Sequence, residues 1–292
     1  MKNKTTETTI LEHYRQADLN KNIQTAFKTA GRRINDYTDT ESLDEFHIRG
    51  REATRELAQL ADLKPGMRVL DLGCGIGGPA RMLAAEFGCR VTGVDLVDEY
   101  CRAAEMITLH AGLSHLVNFQ TGDMAALRFD DQSFDAAWTL HTIMNIKDKP
   151  DLFDRIFHIL RPSGLFILYE VCQGINSPPH FPVPWAADAS MSFLLSPDDL
   201  RRQILQQGFV ELHWQDVSDA AVKWFQAIAA SRAVMEKKKQ TAGTEKITQP
   251  HPKRSKPGIS LLLGKTAVEK SRNVFRNLSE DRIRTFFGVF QK

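Results

Sequence analysis

The sequence predicts an α/β fold in which a mostly parallel sheet of seven strands carries helices on both faces. From Met67 onward, short apolar runs alternate with segments of helical periodicity, the pattern of strand-helix-strand units. The first apolar run ends in the glycine-rich segment 73–78, which allows a sharp turn from a buried strand into a helix. With 292 residues, 42% hydrophobic and 25% charged, the chain can bury a large core.

The chain divides into a helical cap, residues 1–62, and a sheet domain, residues 63–292. Apolar residues recur at helical spacing in the cap, and Lys64-Pro65-Gly66 separates it from the first strand. A turn is expected at 161–164. The predicted strands are Met67–Leu72, Arg90–Asp95, Val117–Gln120, Phe134–Leu140, Leu165–Val171, Phe209–Val217 and Ile283–Phe290.

Two segments interrupt the alternation after the fifth strand. Residues 174–195 begin with a proline-rich run that has no periodicity, and a long loop at this edge of a sheet usually lines a site. Residues 219–281 form an insertion before the last strand, with helices over 219–235 and 259–278. Between these helices, the basic and proline-containing stretch 237–258 is expected to be mobile.

Composition narrows the function classes. No apolar run reaches the ~20 residues of a membrane span, and the first residues lack a signal-peptide core, so a cytoplasmic protein without membrane contact is expected. The four cysteines have no metal-ligand spacing, so no metal is predicted. Residues 231–292 hold 15 Lys/Arg against 5 Asp/Glu, but they lack the interleaved aromatics of a nucleic-acid surface over most of their length. A solvated surface is the preferred interpretation.

Candidate ligand-binding residues follow four predicted strands. They are the glycine loop, Asp95, Asp123 with Met124, and His141 with Asn145. The carboxyl ends of parallel strands share one edge, where open α/β folds bind ligands. A carboxylate at Asp95 has two oxygens for a ribose diol, which suits NAD and S-adenosylmethionine equally. The helix that begins near Pro79 can receive a pyrophosphate in the first case or an amino-acid carboxylate in the second.

The ordered motifs resemble those of class I S-adenosylmethionine-dependent methyltransferases. The matching segments are Leu70-Asp71-Leu72-Gly73-Cys74-Gly75-Ile76-Gly77, Val94-Asp95-Leu96, Gly122-Asp123, Phe134-Asp135 and Leu160-Arg161-Pro162-Ser163-Gly164. Segments 44–50, 140–146 and 181–186 further resemble the small-molecule group related to sarcosine and dimethylglycine N-methyltransferases. The resemblance implies a Rossmann-like fold that ends in an antiparallel hairpin, with residues 63–292 as the methyltransferase domain and 174–195 as its active-site loop.

The resemblance also implies site roles. S-adenosylmethionine would be the cofactor, with Asp95 at its ribose, Asp123 and the Met124 backbone at the adenine edge, and Leu96 on the adenine ring. Its methionine part and sulfonium would lie among Asp71, Gly73, Cys74, Gly75, Leu140 and His141. Gly78 would be a helix-packing position. Substrate contacts are predicted for His47, Asn145, Phe181 and Trp185.

Methyl transfer from a sulfonium is an in-line displacement that depends mainly on alignment and exclusion of water. An amine or hydroxyl acceptor must lose a proton, and His141 is the first candidate for the base, with His180 and His47 weaker. A small-molecule acceptor is expected, with an amine favoured and a hydroxyl or carbon open. The alternatives are an NAD-dependent oxidoreductase, a cofactor-binding module without activity, and a nucleic-acid modifier. The sequence leaves open whether the protein forms a homodimer.

Overall fold

The computed structural model describes residues 6–126, 128–241 and 257–292 and forms a seven-stranded sheet flanked by helices. The strands are β1 (Arg68–Leu72), β2 (Arg90–Asp95), β3 (Val117–Thr121), β4 (Phe134–Leu140), β5 (Leu160–Gln173), β6 (Val210–Asp216) and β7 (Ile283–Gln291). They lie in the order β3-β2-β1-β4-β5-β7-β6. The pairs among β1 to β5 are parallel, whereas β7 is antiparallel to both β5 and β6. The predicted fold class, with its terminal antiparallel hairpin, is confirmed.

Eleven α-helices are present in the described residues. The first four, α1 (Thr6–Tyr14), α2 (Leu19–Thr29), α3 (Glu41–Asp44) and α4 (Gly50–Leu60), precede the sheet. Four more connect the strands: α5 (Gly78–Phe87), α6 (Asp98–His110), α7 (Lys149–Ile159) and α8 (Pro197–Leu205). The insertion between β6 and β7 supplies α9 (Ser218–Thr241), α10 (Ser260–Leu263) and α11 (Ala267–Ser279). No described helix is long and apolar enough to cross a membrane.

Successive side chains of the central strands point to opposite faces of the sheet, so each strand contributes to two apolar layers. On β5, Ile167 and Tyr169 pack on the layer that includes α4 and α5, whereas Phe166 and Leu168 pack on the layer of α7 and α8. A third cluster joins α2 to α6 and holds the N-terminal helices against the sheet domain. The continuous apolar runs read from the sequence are therefore strands buried on both faces.

Three predicted boundaries were wrong. Residues 161–164 are not a separate turn before the fifth strand, because β5 already pairs at Leu160 and its register against β4 shifts before Leu165. The helix predicted over 259–278 is interrupted by a short 3₁₀ segment that begins at Gly264, whose φ of +70° is a conformation that glycine adopts freely. The helix predicted to end at residue 235 continues to Thr241. Most of the stretch predicted to be mobile, residues 242–256, lies outside the described residues.

Candidate active site

A cavity of about 340 Å³ opens at the carboxyl edge of the sheet, beneath the N-terminal helices. Strand ends from β1, β2, β3 and β4 form one part of its wall, and α1, the segment 143–148 and the loop after β5 form another. The sequence-predicted residues that line it are Asp71, Gly73, Cys74, Gly75, Asp95, Leu96, Asp123, Met124, Leu140, His141, His47, Asn145 and Trp185. Phe181 does not line the cavity and instead packs against the apolar core.

The glycine loop after β1 packs closely against neighbouring residues, as Gly73 and Gly78 show. A Cβ atom on Gly73 would lie 2.3 Å from Cγ2 of Thr142, and the φ of Gly73 is +73°. A Cβ atom on Gly78 would lie 2.3 Å from the carbonyl oxygen of Asp44, so this glycine lets α5 pack closely against the cap. Gly78 is thus placed for helix packing, and it does not line the cavity.

Asp95 organises the loop with both of its carboxylate oxygens. Its Oδ2 accepts a hydrogen bond from the Gly75 amide at 2.8 Å, and its Oδ1 accepts one from the Val97 amide at 2.9 Å. Burial raises the pKa of Asp95 to about 6, while these amides oppose the shift. Each carboxylate oxygen has a further lone pair, so Asp95 can accept two more hydrogen bonds from a diol in the cavity.

Asp71 lies at the end of β1 with an unsatisfied carboxyl group. Its Oδ2 is buried and has no hydrogen-bond partner among the described residues. Burial, with a smaller contribution from the charge of Asp95, raises the pKa of Asp71 to about 8. A cationic or hydrogen-bond-donating ligand group would satisfy this oxygen and favour the ionised form.

The next wall of the cavity comes from the segment after β3. Asp123 accepts a hydrogen bond from the Ala125 amide at 2.8 Å, which opens the short 3₁₀ turn Met124–Ala126. The Met124 side chain is buried in the layer that contains Val94, and Leu96 also lines the cavity. Cys74 is buried as well, and burial raises the pKa of its thiol well above the ordinary value, so it is a neutral wall residue.

His141 follows β4 with a left-handed backbone, φ +49°. Its Nδ1 accepts a long hydrogen bond, 3.4 Å, from the Ile48 amide. Burial, together with the nearby His47, lowers the pKa of His141 well below its ordinary value, so the ring is neutral. Since Nδ1 is an acceptor, Nε2 carries the proton, and this buried atom has no partner in the described structure. In this state Nε2 of His141 can donate a hydrogen bond to a ligand, whereas the sequence analysis predicts that His141 acts as a base.

Glu170 on β5 fixes the turn that carries His141. Its Oε1 accepts hydrogen bonds from the amides of Thr142 at 2.9 Å and Ile143 at 3.1 Å. Burial raises the pKa of Glu170 to about 7. Sequence reasoning did not select Glu170, although an acidic residue inside the long apolar run of the fifth strand was a usable signal.

Tyr14, Asn145 and the loop after β5 are joined by hydrogen bonds. The Tyr14 hydroxyl donates to Oδ1 of Asn145 at 3.1 Å, and the Asn145 amide donates to the carbonyls of Trp185 at 2.9 Å and Met191 at 3.0 Å. Asn145 therefore holds α1 and the loop together above the cavity.

The two other candidate histidines have partners of their own. His47 Nε2 lies 2.8 Å from the Gly50 carbonyl, and burial lowers its pKa to about 4. His180 does not line the cavity, and its Nε2 lies 2.8 Å from Oε2 of Glu280. Among the described residues, no cluster of His, Cys, Asp or Glu could hold a metal ion.

The residues present fit S-adenosylmethionine. The unpartnered Asp71 oxygen suits the positive end of the methionine moiety, and the open lone pairs of Asp95 suit a ribose diol. Gly73 and Gly75 let the backbone approach a ligand closely.

Comparison with known proteins identifies the family of this region. Residues 70–168 match the model of the methyltransferase domain. The chain carries a methyltransferase domain. This match confirms the methyltransferase resemblance over residues 70–168, and S-adenosylmethionine is the methyl donor of such domains. The oxidoreductase alternative finds no support among the matches.

Two curated relatives match the domain. Phosphoethanolamine N-methyltransferase 3 from Arabidopsis thaliana is 38% identical over 133 residues, which cover 44% of this chain and 26% of that protein. Sterol 24-C-methyltransferase from Aspergillus fumigatus is 30% identical over 183 residues, 60% of this chain and 48% of that protein. The matches thus span about a quarter to a half of these relatives.

Solved structures share the fold over most of the chain. A Haemonchus contortus phosphoethanolamine N-methyltransferase 2, in complex with phosphomonomethylethanolamine and S-adenosylhomocysteine, aligns with 95% of this chain and 61% of its own, with a TM-score of 0.66 and 21% identity. A Galdieria sulphuraria protein assigned as a sarcosine dimethylglycine methyltransferase aligns with 82% of this chain and 84% of its own, with a TM-score of 0.59 and 18% identity.

Proposed function

We propose that this chain transfers a methyl group from S-adenosylmethionine to a small-molecule acceptor held in the same cavity. The observation that carries the proposal is the pair of acidic residues at adjacent strand ends. Asp95 retains free lone pairs beside the glycine loop, and Asp71 has a buried oxygen without a partner. Both side chains line one cavity with His141 and Tyr14. The methyl donor would therefore lie against the acidic strand ends, and the acceptor against the part of the wall that holds His141 and Tyr14.

Each part of the proposed site has a defined task. Asp95 and Asp123 bind the nucleoside part, and Asp71 with the glycine loop binds the methionine part. When bound, S-adenosylmethionine supplies an electrophilic methyl group on a positively charged sulfur. The turn that Glu170 fixes places His141 at the end of β4, where its Nε2 proton can orient the acceptor. The helix α1 and the loop after β5 exclude water, which favours an in-line displacement.

Calorimetric titration tests the proposal. We expect S-adenosylmethionine and S-adenosylhomocysteine to bind and NAD not to bind. Asp95→Asn should weaken binding of both by about 1.5–3 kcal/mol, because hydrogen bonds to a charged group are lost. The matched control is Asp98→Asn, since Asp98 begins the next helix but is bonded to Arg102 and Thr121 and does not line the cavity.

The control variant should bind S-adenosylhomocysteine like the unaltered protein. Equal affinity for NAD, or an Asp95→Asn variant that binds S-adenosylhomocysteine normally, would contradict the proposed function.

A further inference from the structure

We infer that the methyl acceptor is uncharged and largely apolar over the part that the cavity encloses. This inference rests on the proposed function and concerns the part of the wall that the strand ends β1 to β3 do not form. There the apolar side chains come from six segments of the chain: Ile10, Ile48, Met144, Trp185, Leu263 and Val274. Segments so distant in sequence converge on one wall, and a mainly apolar wall selects apolar surface in its ligand.

The polar groups on this part of the wall are already bonded within the protein. Tyr14 donates to Asn145, and both amide hydrogens of Asn145 are used by loop carbonyls. His47 is bonded to the Gly50 carbonyl and lies 2.9 Å from the Thr54 hydroxyl. Two atoms are exceptions. Nε2 of His141 is buried and has no partner in the described structure, and Oδ1 of Asp44 is likewise buried without a hydrogen bond, although the other oxygen of Asp44 is paired with Arg81. One donor can meet one acceptor atom, such as a carbonyl or hydroxyl oxygen.

A phosphate or carboxylate on the acceptor would find little compensation. No arginine is among the described residues that line the cavity, and the single lysine there, Lys147, is exposed beside Asp148. Arg81 is buried nearby, but its Nη2 is paired with Oδ2 of Asp44 at 2.6 Å. An anion buried without a cation or several donors pays a large desolvation cost.

An ammonium group would meet the same difficulty. The buried carboxyl groups along the wall are Asp44, which Arg81 neutralises, and Asp71 and Asp95, which belong to the strand ends that hold the methyl donor. A cationic acceptor would therefore compete with the donor for its own counter-charges. These observations disfavour an amine that binds as its ammonium ion, and they favour a hydroxyl or carbon acceptor over the amine that the sequence analysis preferred.

Binding to the protein saturated with S-adenosylhomocysteine tests the inference. The probes are 2-naphthol and 6-hydroxy-2-naphthoate, which share a ring system and a hydroxyl group and differ by one carboxylate. We expect 2-naphthol to bind about tenfold or more tightly than the naphthoate, because the naphthoate buries an unpaired charge. Phosphoethanolamine and glycine should show no saturable binding.

A charge placed in the wall provides the second arm. Ile10 is half-buried on α1, so Ile10→Arg can fold while it brings a cation to the cavity. The Ile10→Arg variant should bind 2-naphthol about tenfold more weakly than the unaltered protein does. The difference in affinity between 2-naphthol and the naphthoate should become smaller. The control Val268→Arg also replaces a branched aliphatic side chain by arginine, at a position that is 67% exposed and away from the cavity. This control should change neither the affinity for 2-naphthol nor the affinity for the naphthoate.

The outcomes separate the two proposals. Failure of S-adenosylhomocysteine to bind contradicts the proposed function. If it binds, then an equal or tighter complex with the naphthoate, saturable binding of phosphoethanolamine or glycine, or no saturable binding of 2-naphthol overturns the inference alone.

Discussion

His141 has a chemical role that follows from a single backbone contact. Because the Ile48 amide points at Nδ1, the exchangeable proton lies on Nε2, and the ring can orient an acceptor oxygen but cannot take a proton there. We expect His141→Gln to keep most of kcat/KM, since its side-chain amide can donate in place of the imidazole. His141→Leu should lose about tenfold to a hundredfold, the value of one buried hydrogen bond.

The pH profile separates this role from general-base catalysis. Burial holds the pKa of His141 well below its ordinary value, so kcat/KM should show no His141 titration between pH 6 and 8. Equal losses in the Gln and Leu variants, together with a wild-type profile that titrates near the ordinary pKa of histidine, about 6.5, would restore the base assignment.

Sequence reasoning located those residues whose position follows from strand order alone. Asp71, Asp95, Asp123 and His141 each come at or just after the end of a parallel strand, and such ends must share an edge. It could not place Phe181, because whether a loop aromatic faces a cavity or the core depends on packing. The bond from Tyr14 to Asn145 spans 131 residues, and no local pattern encodes such a pairing.

At the scale of elements, α1 is a lid held by hydrogen bonds as well as by packing. Tyr14 bonds to Asn145, His13 Nε2 lies 3.0 Å from the Pro184 carbonyl, and Gln16 just beyond α1 donates to the Leu262 carbonyl at 3.1 Å. The helix has only nine residues, so it depends on such tertiary contacts for its stability.

Removal of the Tyr14 hydroxyl should loosen this lid. We expect Tyr14→Phe to increase amide hydrogen exchange over residues 6–17 and to lower the global free energy of unfolding by about 1 kcal/mol or less, the contribution of one hydrogen bond. Tyr37→Phe is the matched control, because the Tyr37 hydroxyl donates to Glu86 at the surface. Exchange over 6–17 that is unchanged in Tyr14→Phe, or equally raised in the control, would argue against the lid.

Element boundaries were harder to predict than element types. Strand and helix types follow from periodicity, but the start of β5 depends on how residues 161–164 fit against β4, with a register shift that sequence alone does not show. Likewise, the break between α10 and α11 depends on the conformation of Gly264, a residue that many helices tolerate.

At the scale of the molecule, the cap and the sheet domain are joined by a buried ionic network. The side chains of Arg81 on α5 and Asp44 on α3 are fully buried and bonded at 2.6 Å, and Thr40 donates to the same Asp44 oxygen. Arg51 on α4 bonds to Glu45 at 3.3 Å. Separating the partners of such a pair would leave an uncompensated buried charge, which is strongly destabilising. The network therefore holds the cap in one position over the cavity.

Buried acids also set the pH dependence of stability in the ligand-free protein. The pKa values of Asp71, about 8, and Glu170, about 7, lie above those of the same groups in the unfolded chain. Between the unfolded and the folded pKa of each group, the folded state therefore binds more protons than the unfolded state. The free energy of unfolding consequently falls as pH rises through this range. Buried His47, with a pKa of about 4, acts in the opposite direction, but only below its unfolded value of about 6.5.

Between pH 6.5 and 8 the carboxyl groups thus dominate this balance. We expect urea titrations to show a decrease of about 2–4 kcal/mol across this window, since each of the two groups contributes up to about 1.4 kcal/mol per pH unit. Asp71→Asn keeps the shape of the side chain but cannot ionise, so its slope should be shallower than that of the unaltered protein. A free energy of unfolding that stays level or rises from pH 6.5 to 8 would mean that Asp71 and Glu170 are already ionised in the folded state, and that the cavity presents two fixed negative charges before any ligand arrives.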